Sequence, residues 1–448
     1  MRSSSTGQPK HASNLPVSEA GLEHEFTAAL AALAPRHPLA VAVSGGPDST
    51  AALALATQYA LDHQHPAPMA LIVDHGLRAE SAAEAAMAAE QARAAGLTAH
   101  VLVWEGTKPA ANVQALARAA RYRLIAEQMQ TLGLRDLITG HTADDQVETF
   151  LLRLGRGSGL KGLAGIAPTG PFPLAGYTGL RVLRPLLGVR KAQLVQHCEA
   201  LGLRTVNDPS NENTAFARVQ AREIMSTLGT LGLTHGRLLA TIGHLQRASA
   251  AIEAAVEQLL RQAVRFEPFG FAKISLSLVQ TAPEEVALRV LANGLRAVSG
   301  EPYGAEFDDL GRLWHEVRAS VAYPARTLSG CLVGRDNGLL WVAREPAAAA
   351  STSVDIQPGQ SAVWDGRFVV ALGASYEPGR YRVAADRRPI RRADLGAYPA
   401  IKGQLATLVP SGFPALWRGE QCLGPAALTP GQGLHARFLP LQEAGTAS

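Results

Sequence analysis

The chain has 448 residues, of which 47% are hydrophobic and 18% charged, with 42 basic against 38 acidic side chains for a formal net charge of +4. At roughly 150 residues per domain this length predicts about three domains, and the balance of apolar and charged residues excludes a largely disordered chain. The small positive excess permits an anionic partner without requiring one, and the preference for Arg over Lys fits genomic base composition as well as function.

No apolar run reaches the roughly 18 residues of a membrane span, and the polar start MRSSSTGQPK lacks the apolar core of a secretory signal. A cytoplasmic protein without membrane association is expected. Cys198, Cys331 and Cys422 are far apart and never form C-x-x-C, which argues against a disulfide framework, a zinc ribbon or an iron-sulfur site.

Residues 1–17 read as a disordered polar tail. Beyond them strand and helix patterns alternate. A helix near Glu23 to Leu33 is followed by an apolar strand from Pro38 to Val43, then a loop and a helix from Asp48 to Tyr59. Met69 to Val73 is a second buried strand. Ser81-Ala-Ala-Glu84 reads as a capping box opening a helix that Gly96 closes. His100 to Trp104 is a third strand, Asn112 to Gly133 a long helix, Leu137 to Thr139 a fourth strand, and Ala143 to Leu154 a further helix.

This alternation predicts an α/β fold with a parallel sheet, helices on both faces, and ligands at the carboxyl ends of the strands. Three polar clusters sit at such ends: Ser44-Gly-Gly-Pro-Asp-Ser-Thr50, Asp74-His-Gly-Leu-Arg78 and Gly140-His-Thr-Ala-Asp-Asp145. The domain is expected to cover 18–225. A mainly helical domain is expected over 226–345, with helices beginning near Thr281 and Asp308. The Ala-rich stretch 346–354 reads as a linker, and 355–448 as a small α+β domain with strands such as Arg367 to Leu372.

In the first cluster, Gly45 and Gly46 let the backbone approach an anion closely, and the amides opening the next helix, with the Ser44, Ser49 and Thr50 hydroxyls, suit phosphate or pyrophosphate. Pro47 sits at the helix start. No Gly-Lys-Ser/Thr follows, so this is not a Walker A loop, and G-x-G-x-x-G is absent, so it is not a dinucleotide fingerprint.

Ser-Gly-Gly-x-Asp-Ser after a first strand resembles the PP-loop of the N-type ATP pyrophosphatase superfamily. With Asp74 to Arg78, Ala117-Arg-Ala-Ala-Arg-Tyr122, Gly140 to Thr149, Arg156 to Leu163, Arg184-Pro-Leu-Leu187 and Asp208-Pro-Ser-Asn211, the chain is similar to the tRNA(Ile)-lysidine synthetases, specifically over roughly residues 38–225. It departs from many of them at Val206, where they carry an aromatic residue, and at Arg218-Val219, where they carry Arg-Asn.

The resemblance implies an adenine nucleotide alpha-hydrolase-like catalytic domain followed by two tRNA-binding domains. It implies a ligase that spends ATP to adenylate the oxygen on carbon 2 of the first anticodon cytidine in isoleucine tRNA with a CAU anticodon, after which free L-lysine displaces AMP. No obligatory protein partner is implied. Ser44, Gly45, Gly46, Pro47, Asp48, Ser49, Thr50, Asp74 and His75 become the expected ATP site, with Asp48 and Asp145 holding Mg²⁺. Arg121 is expected on the α-phosphate. Lysine's amine, with an ordinary pKa of about 10.4, needs a base. Asp145 is the favoured catalytic carboxylate, with Glu148 and His141 shaping the site, while Asp144 can instead act as a helix cap.

For the RNA, Arg380, Arg382, Arg387, Arg388, Arg391 and Arg392 against Asp386 place a charge of 6 − 1 = +5 within thirteen residues, leaving −1 for the rest of the chain. Arg218 and Arg222, four apart on an expected helix, form a smaller basic face. The alternatives are a tRNA thiolase, which the isolated cysteines disfavour, and a non-catalytic nucleotide- or RNA-binding module, which the full set of polar motifs disfavours.

Overall fold

The computed structural model describes residues 19–439 apart from 107, 109–112, 175–176, 178, 207–216, 302–304, 320–323, 386–404 and 429–432. The expected tail and Arg387, Arg388, Arg391 and Arg392 lie outside the described residues. The chain forms two compact units, one up to Gln246 and one from Arg247.

The first unit runs α1 (Glu19–Ala32), β1 (Ala40–Val43), α2 (Pro47–Asp62), β2 (Met69–Asp74), α3 (Ser81–Ala94), β3 (Ala99–Val103), α4 (Val113–Thr131), β4 (Asp136–Ile138), α5 (Ala143–Gly155), α6 (Leu160–Leu163), β5 (Thr169–Pro171), β6 (Arg181–Leu183), α7 (Lys191–Ala200) and α8 (Ala217–Thr230), and ends within α9 (His235–Ala263). Its sheet has the order β3-β2-β1-β4-β6-β5, parallel except for β5 at the edge. The short apolar runs are strands because both faces are covered. Val41 and Leu71 are fully buried, and β1 packs beneath Phe26, Leu30, Leu55 and Ala56. The order steps outward from β1 to β2 and β3, then returns to place β4 on the other side of β1. That reversal opens a crevice above β1 and β4, where parallel sheets take ligands.

The expected cap at Ser81 is corrected. Glu80 is the residue before the helix, and the Ser81 hydroxyl reaches back to donate to Asp74 Oδ1 instead of capping α3. A hydrogen bond to a buried carboxylate outcompetes one to an exposed helix end.

The first unit also extends beyond the expected boundary at 225. Met225 of α8 and Leu238 and Ile242 of α9 pack on Val147 and Phe150 of α5, so the apolar face of α5 needs both helices for its cover.

The second unit continues with β7 (Val264–Glu267), β8 (Phe271–Ser275), α10 (Leu276–Gln280), α11 (Glu284–Ser299), α12 (Phe307–Ala319), β9 (Arg326–Leu328), β10 (Cys331–Asp336) and β11 (Leu339–Arg344). The segment expected to be mainly helical therefore also carries an antiparallel sheet, ordered β7-β8-β11-β10-β9. Its turns are written in the sequence. Asn337-Gly338 joins β10 to β11 and Ser329-Gly330 joins β9 to β10, each with φ positive at both residues, the conformation of two-residue hairpins.

The expected linker is corrected as well. Pro346–Ala350 forms the short helix α13, with Pro at its start and Ala349 fully buried, because alanine favours helix and fits a tight core. Strands β12 (Ser353–Ile356), β13 (Ser361–Trp364), β14 (Phe368–Leu372) and β15 (Tyr381–Ala385) follow, then α14 (Leu405–Ser411), β16 (Pro414–Arg418), β17 (Gln421–Pro425) and β18 (Leu434–Phe438). They make two small antiparallel sheets, β12-β15-β16-β17 and β13-β14-β18. Phe271 and Trp341 of the larger sheet share one core with Phe368, Val383 and Leu416 of the smaller ones. Asp365, 2% exposed, clamps this junction by accepting from both Arg344 and Arg367. Among the described residues no helix is long and apolar enough to cross a membrane.

At the amino end of β4 the wholly buried Asp136 accepts from the Arg36 amide at 2.8 Å, the Arg36 guanidinium at 2.6 and 3.0 Å, and Arg181 at 2.5 and 3.1 Å. Burial pushes its carboxyl upward, but the bonds from Arg181 and Arg36 outweigh that and hold it below the usual carboxylate range. Asp136→Asn is expected to cost about 2–3 kcal/mol of stability at pH 7, below a fully buried pair because both arginines reach water. A carboxyl depressed in the folded state stabilises at high pH and ceases to as it protonates. The difference between wild type and variant in urea denaturation is therefore expected to shrink as pH falls below about 4.

Candidate active site

The loop after β1 is organised by its own side chains. The Ser44 amide donates to Ser49 Oγ at 3.0 Å, and that hydroxyl donates to the Gly46 carbonyl at 3.0 Å. Ser49 and Thr50 are buried, so Ser49 shapes the loop from beneath, while Ser44, whose hydroxyl is 3.1 Å from that of Ser49, is exposed. Gly45 takes φ = +82°, open to glycine at little cost, and Gly46 precedes α2 in an extended conformation with Pro47 in the first turn. The chain here presents the unbonded amides of a helix start, a ready anion site.

Gly140, at the end of β4, approaches this loop so closely that a Cβ would stand 2.8 Å from the Asp48 carbonyl carbon and oxygen and 3.0 Å from the Ser49 nitrogen. Only glycine lets the two strand ends meet. Past it, Thr142 caps α5: Asp145 Oδ2 accepts from the Thr142 amide at 2.8 Å and its hydroxyl at 2.9 Å, while the Thr142 hydroxyl accepts from the Asp145 amide. The cap expected at Asp144 is therefore Thr142, with Asp145 closing the box. Asp144 instead accepts two guanidinium nitrogens of Arg190, at 3.0 and 3.1 Å, and the Lys191 amide at 2.8 Å, with His235 Nε2 at 3.7 Å. Burial raises its carboxyl, but Arg190 and the Lys191 amide prevail and lower it.

A cavity of about 280 Å³ gathers Asp48 from the first turn of α2, Thr142, Asp144, Asp145 and Glu148 from the start of α5, Arg190 and Lys191 from the start of α7, and Met225 and His235. Glu148 is 3% exposed, and Lys191 Nζ lies 3.9 Å from Asp48 Oδ2. The structure therefore brings Asp48, Asp145 and Glu148 to one cavity. It adds Arg190, Lys191 and His235, which the sequence reading missed; the adjacent cations of Arg190-Lys191, six residues beyond Arg184, were the available signal.

His141 stays at the strand end, its Nδ1 2.9 Å from the Thr139 hydroxyl. Asp74, at the end of β2, is occupied by the Gly76 amide and Ser81. Beside it His75 Nε2 accepts from Arg121 Nε and Nη2 at 3.1 and 3.0 Å. Burial and then the Arg121 charge push the His75 ring down to about 4, so it is a neutral acceptor at physiological pH. Arg218 and Arg222 lie within α8. Arg382, on β15, stands 5.9 Å over the Trp417 ring, and Arg380 immediately precedes that strand.

A phosphate-type loop and a carboxylate-bearing helix start, meeting where the order of a parallel sheet reverses, define a PP-loop domain, and the profile of that domain family matches residues 19–228. The tRNA(Ile)-lysidine synthase of Methylobacterium sp. (strain 4-46) is 41% identical over 315 residues, 68% of this chain and 88% of that protein. That of Wolbachia sp. subsp. Brugia malayi (strain TRS) is 33% identical over 340 residues, 76% and 78%. The chain belongs to the tRNA(Ile)-lysidine synthase family and is a ligase. Among solved structures, the U34-tRNA thiolase NcsA from Methanococcus maripaludis with its [4Fe-4S] cluster has a TM-score of 0.42 and 16% identity, over 50% of this chain and 78% of that one.

Two outcomes follow from this geometry. Gly140→Ala must part the β4 turn from the first turn of α2, and is expected to lower turnover by at least about 100-fold, since ångström-scale misplacement of reacting groups has effects of that size; circular dichroism and melting should show the fold retained. Arg121→Ala removes the positive charge beside His75, so the ring's titration, followed by NMR, should move from about 4 toward 6.5.

Proposed function

We propose that the chain uses ATP to adenylate the oxygen on carbon 2 of the first anticodon cytidine of isoleucine tRNA bearing CAU, and then joins free L-lysine at that carbon with release of AMP. The observation that carries this reading is one cavity lined both by cationic side chains, Lys191 and the Asp144-paired Arg190, and by the carboxylates of Asp48, Asp145 and Glu148. Such a site can hold a polyphosphate and an amine together.

A pyrimidine carbonyl oxygen is a poor leaving group, and joining it to AMP makes it a good one. The backbone N–H groups of Gly46, Asp48 and Ser49, Pro47 having none, supply fixed dipoles for the departing pyrophosphate, stabilising charge where it develops. Mg²⁺ usually takes one or two carboxylates and completes its shell with phosphate oxygens and water. Asp48 and Asp145, lining one cavity, fit that donor set; the metal would neutralise charge on the phosphates. Among the described residues no group of three His, Cys, Asp or Glu side chains forms a metal cage.

With Asp144 committed to Arg190, lysine's ammonium falls to Asp145 and Glu148, and either carboxylate or His141 takes the proton that frees the amine for attack. Arg121, steered by neutral His75, is assigned to the nucleotide's α-phosphate. Arg218, Arg222, Arg380, Arg382, Arg387, Arg388, Arg391 and Arg392 are assigned to the tRNA backbone, and Arg382 over Trp417 offers a stacking platform beside a phosphate contact. The thiolase alternative gains no support. Burial pushes the Cys198 thiol up to about 11 and the Cys331 thiol up to about 12, so neither is a thiolate at neutral pH.

The deciding measurement is incorporation of radiolabelled lysine into CAU-bearing isoleucine tRNA, with and without ATP. Incorporation only with ATP is expected, and none under either condition defeats the assignment. Asp145→Ala should reduce it by about 100-fold or more, the scale of a lost general base, and full activity in that variant would remove Asp145 from the chemistry.

A further inference from the structure

The segment leaving α7 passes under the phosphate loop and is fastened at three points. Gly202 turns the chain with φ = +64°, and the Leu203 amide donates to the Cys198 carbonyl at 2.8 Å. Gln91 of α3 then holds Arg204 by both backbone groups: the Arg204 amide donates to Gln91 Oε1 at 2.8 Å, and Gln91 Nε2 donates to the Arg204 carbonyl at 3.3 Å. Two residues further, the Val206 amide donates to the Gly45 carbonyl at 2.8 Å, and Val206 Cγ2 lies 3.2 Å from where a Cβ on Gly45 would stand.

This strap acts on the atoms that would meet phosphate. A trans peptide is planar, with its carbonyl and N–H pointing in opposite directions. The Gly45 carbonyl and the Gly46 amide belong to one such plane, so the bond from Val206 that draws the carbonyl down aims the Gly46 N–H away from the strap, toward the mouth of the loop. Gly45 is left-handed and has no side chain to lock it, so its orientation must come from a neighbour. Packing holds only part of it: Leu203 packs on the core of α2 and α3, while a mainly apolar cleft of about 200 Å³, lined by Gly45, Leu53, Ala88, Gln91, Leu203 and Arg204, leaves the stretch at Arg204 to its hydrogen bonds. Directional hydrogen bonds therefore set the height of the strap, and the pair to Gln91 ties it to α3.

We infer that Gln91, outside the cavity of Asp48 and Asp145, is a positioning residue for nucleotide binding, acting through Arg204 and Val206 on the Gly45–Gly46 peptide. This rests on the ATP-dependent reading above. The test compares wild type, Gln91→Leu and Gln91→Glu in ATP binding by calorimetry, in KM for ATP, lysine and tRNA, and in melting temperature. Gln91→Leu, which loses both bonds, should weaken ATP binding and raise its KM by about five- to ten-fold, the scale of one or two hydrogen bonds. The KM values for lysine and tRNA should stay within two-fold, roughly the noise of such comparisons. Gln91→Glu keeps the acceptor for the Arg204 amide and should recover most of the ATP affinity.

Wild-type ATP affinity in Gln91→Leu overturns the inference. So does a parallel loss for all three substrates with a lowered melting temperature, or a Gln91→Glu variant as defective as Gln91→Leu. A wild-type chain that binds no ATP overturns the ligase reading and the inference with it.

Discussion

The contact between Gly140 and the backbone of Asp48 and Ser49 is the constraint on which the site depends. A parallel sheet leaves its loops at one end, but loops from neighbouring strands normally stand a side chain apart. Here the missing Cβ of Gly140 lets the β4 turn settle onto the first turn of α2, so the phosphate-type loop and the start of α5 become one surface. Everything else follows from that spacing: Asp48 and Asp145 face one cavity, α7 can reach in with Arg190 and Lys191, and the amides of one helix start lie beside the carboxylates of another.

Three aspartates show how the same chemistry is put to different ends. Asp136 is buried at the opposite, amino end of β4 and is satisfied by two arginines, a bracket that pins the chain before β1 to the sheet. Asp365 does the corresponding work in the second unit with Arg344 and Arg367. Asp144 is held by Arg190 at the rim of the cavity, which spends both charges on each other and on aligning α7 with α5. A buried ion pair adds little net stability compared with apolar packing, but it penalises every arrangement in which its partners are apart. In this fold those pairs hold elements in register.

Much of the first unit was legible because its signals are local. An apolar run of four to six residues followed by a polar cluster and a helix pattern needs no knowledge of the rest of the chain, and each such element lies within a few residues of its expected position. The capping box of Thr142 and Asp145 is equally local, three residues apart at the start of α5. The second unit was harder to read. Its helices announce themselves by period, but its strands are short and their partners distant. Composition also misled at 346–354, where alanine serves a packed helix as well as a tether.

By itself, the sequence determined which residue types could do the chemistry and the order in which strands and loops present them, since backbone propensity, glycine at left-handed turns and the hydrogen-bonding capacity of each side chain are properties of short segments. Only the tertiary structure decided which charges remain available. Arg190 reaches Asp144, Gln91 reaches Arg204 and Val206 reaches Gly45 across separations that no local pattern encodes. The physical reason is that a charge or a dipole acts through space, and its partner is chosen by how the sheet orders its strands and how closely a glycine lets two loops approach.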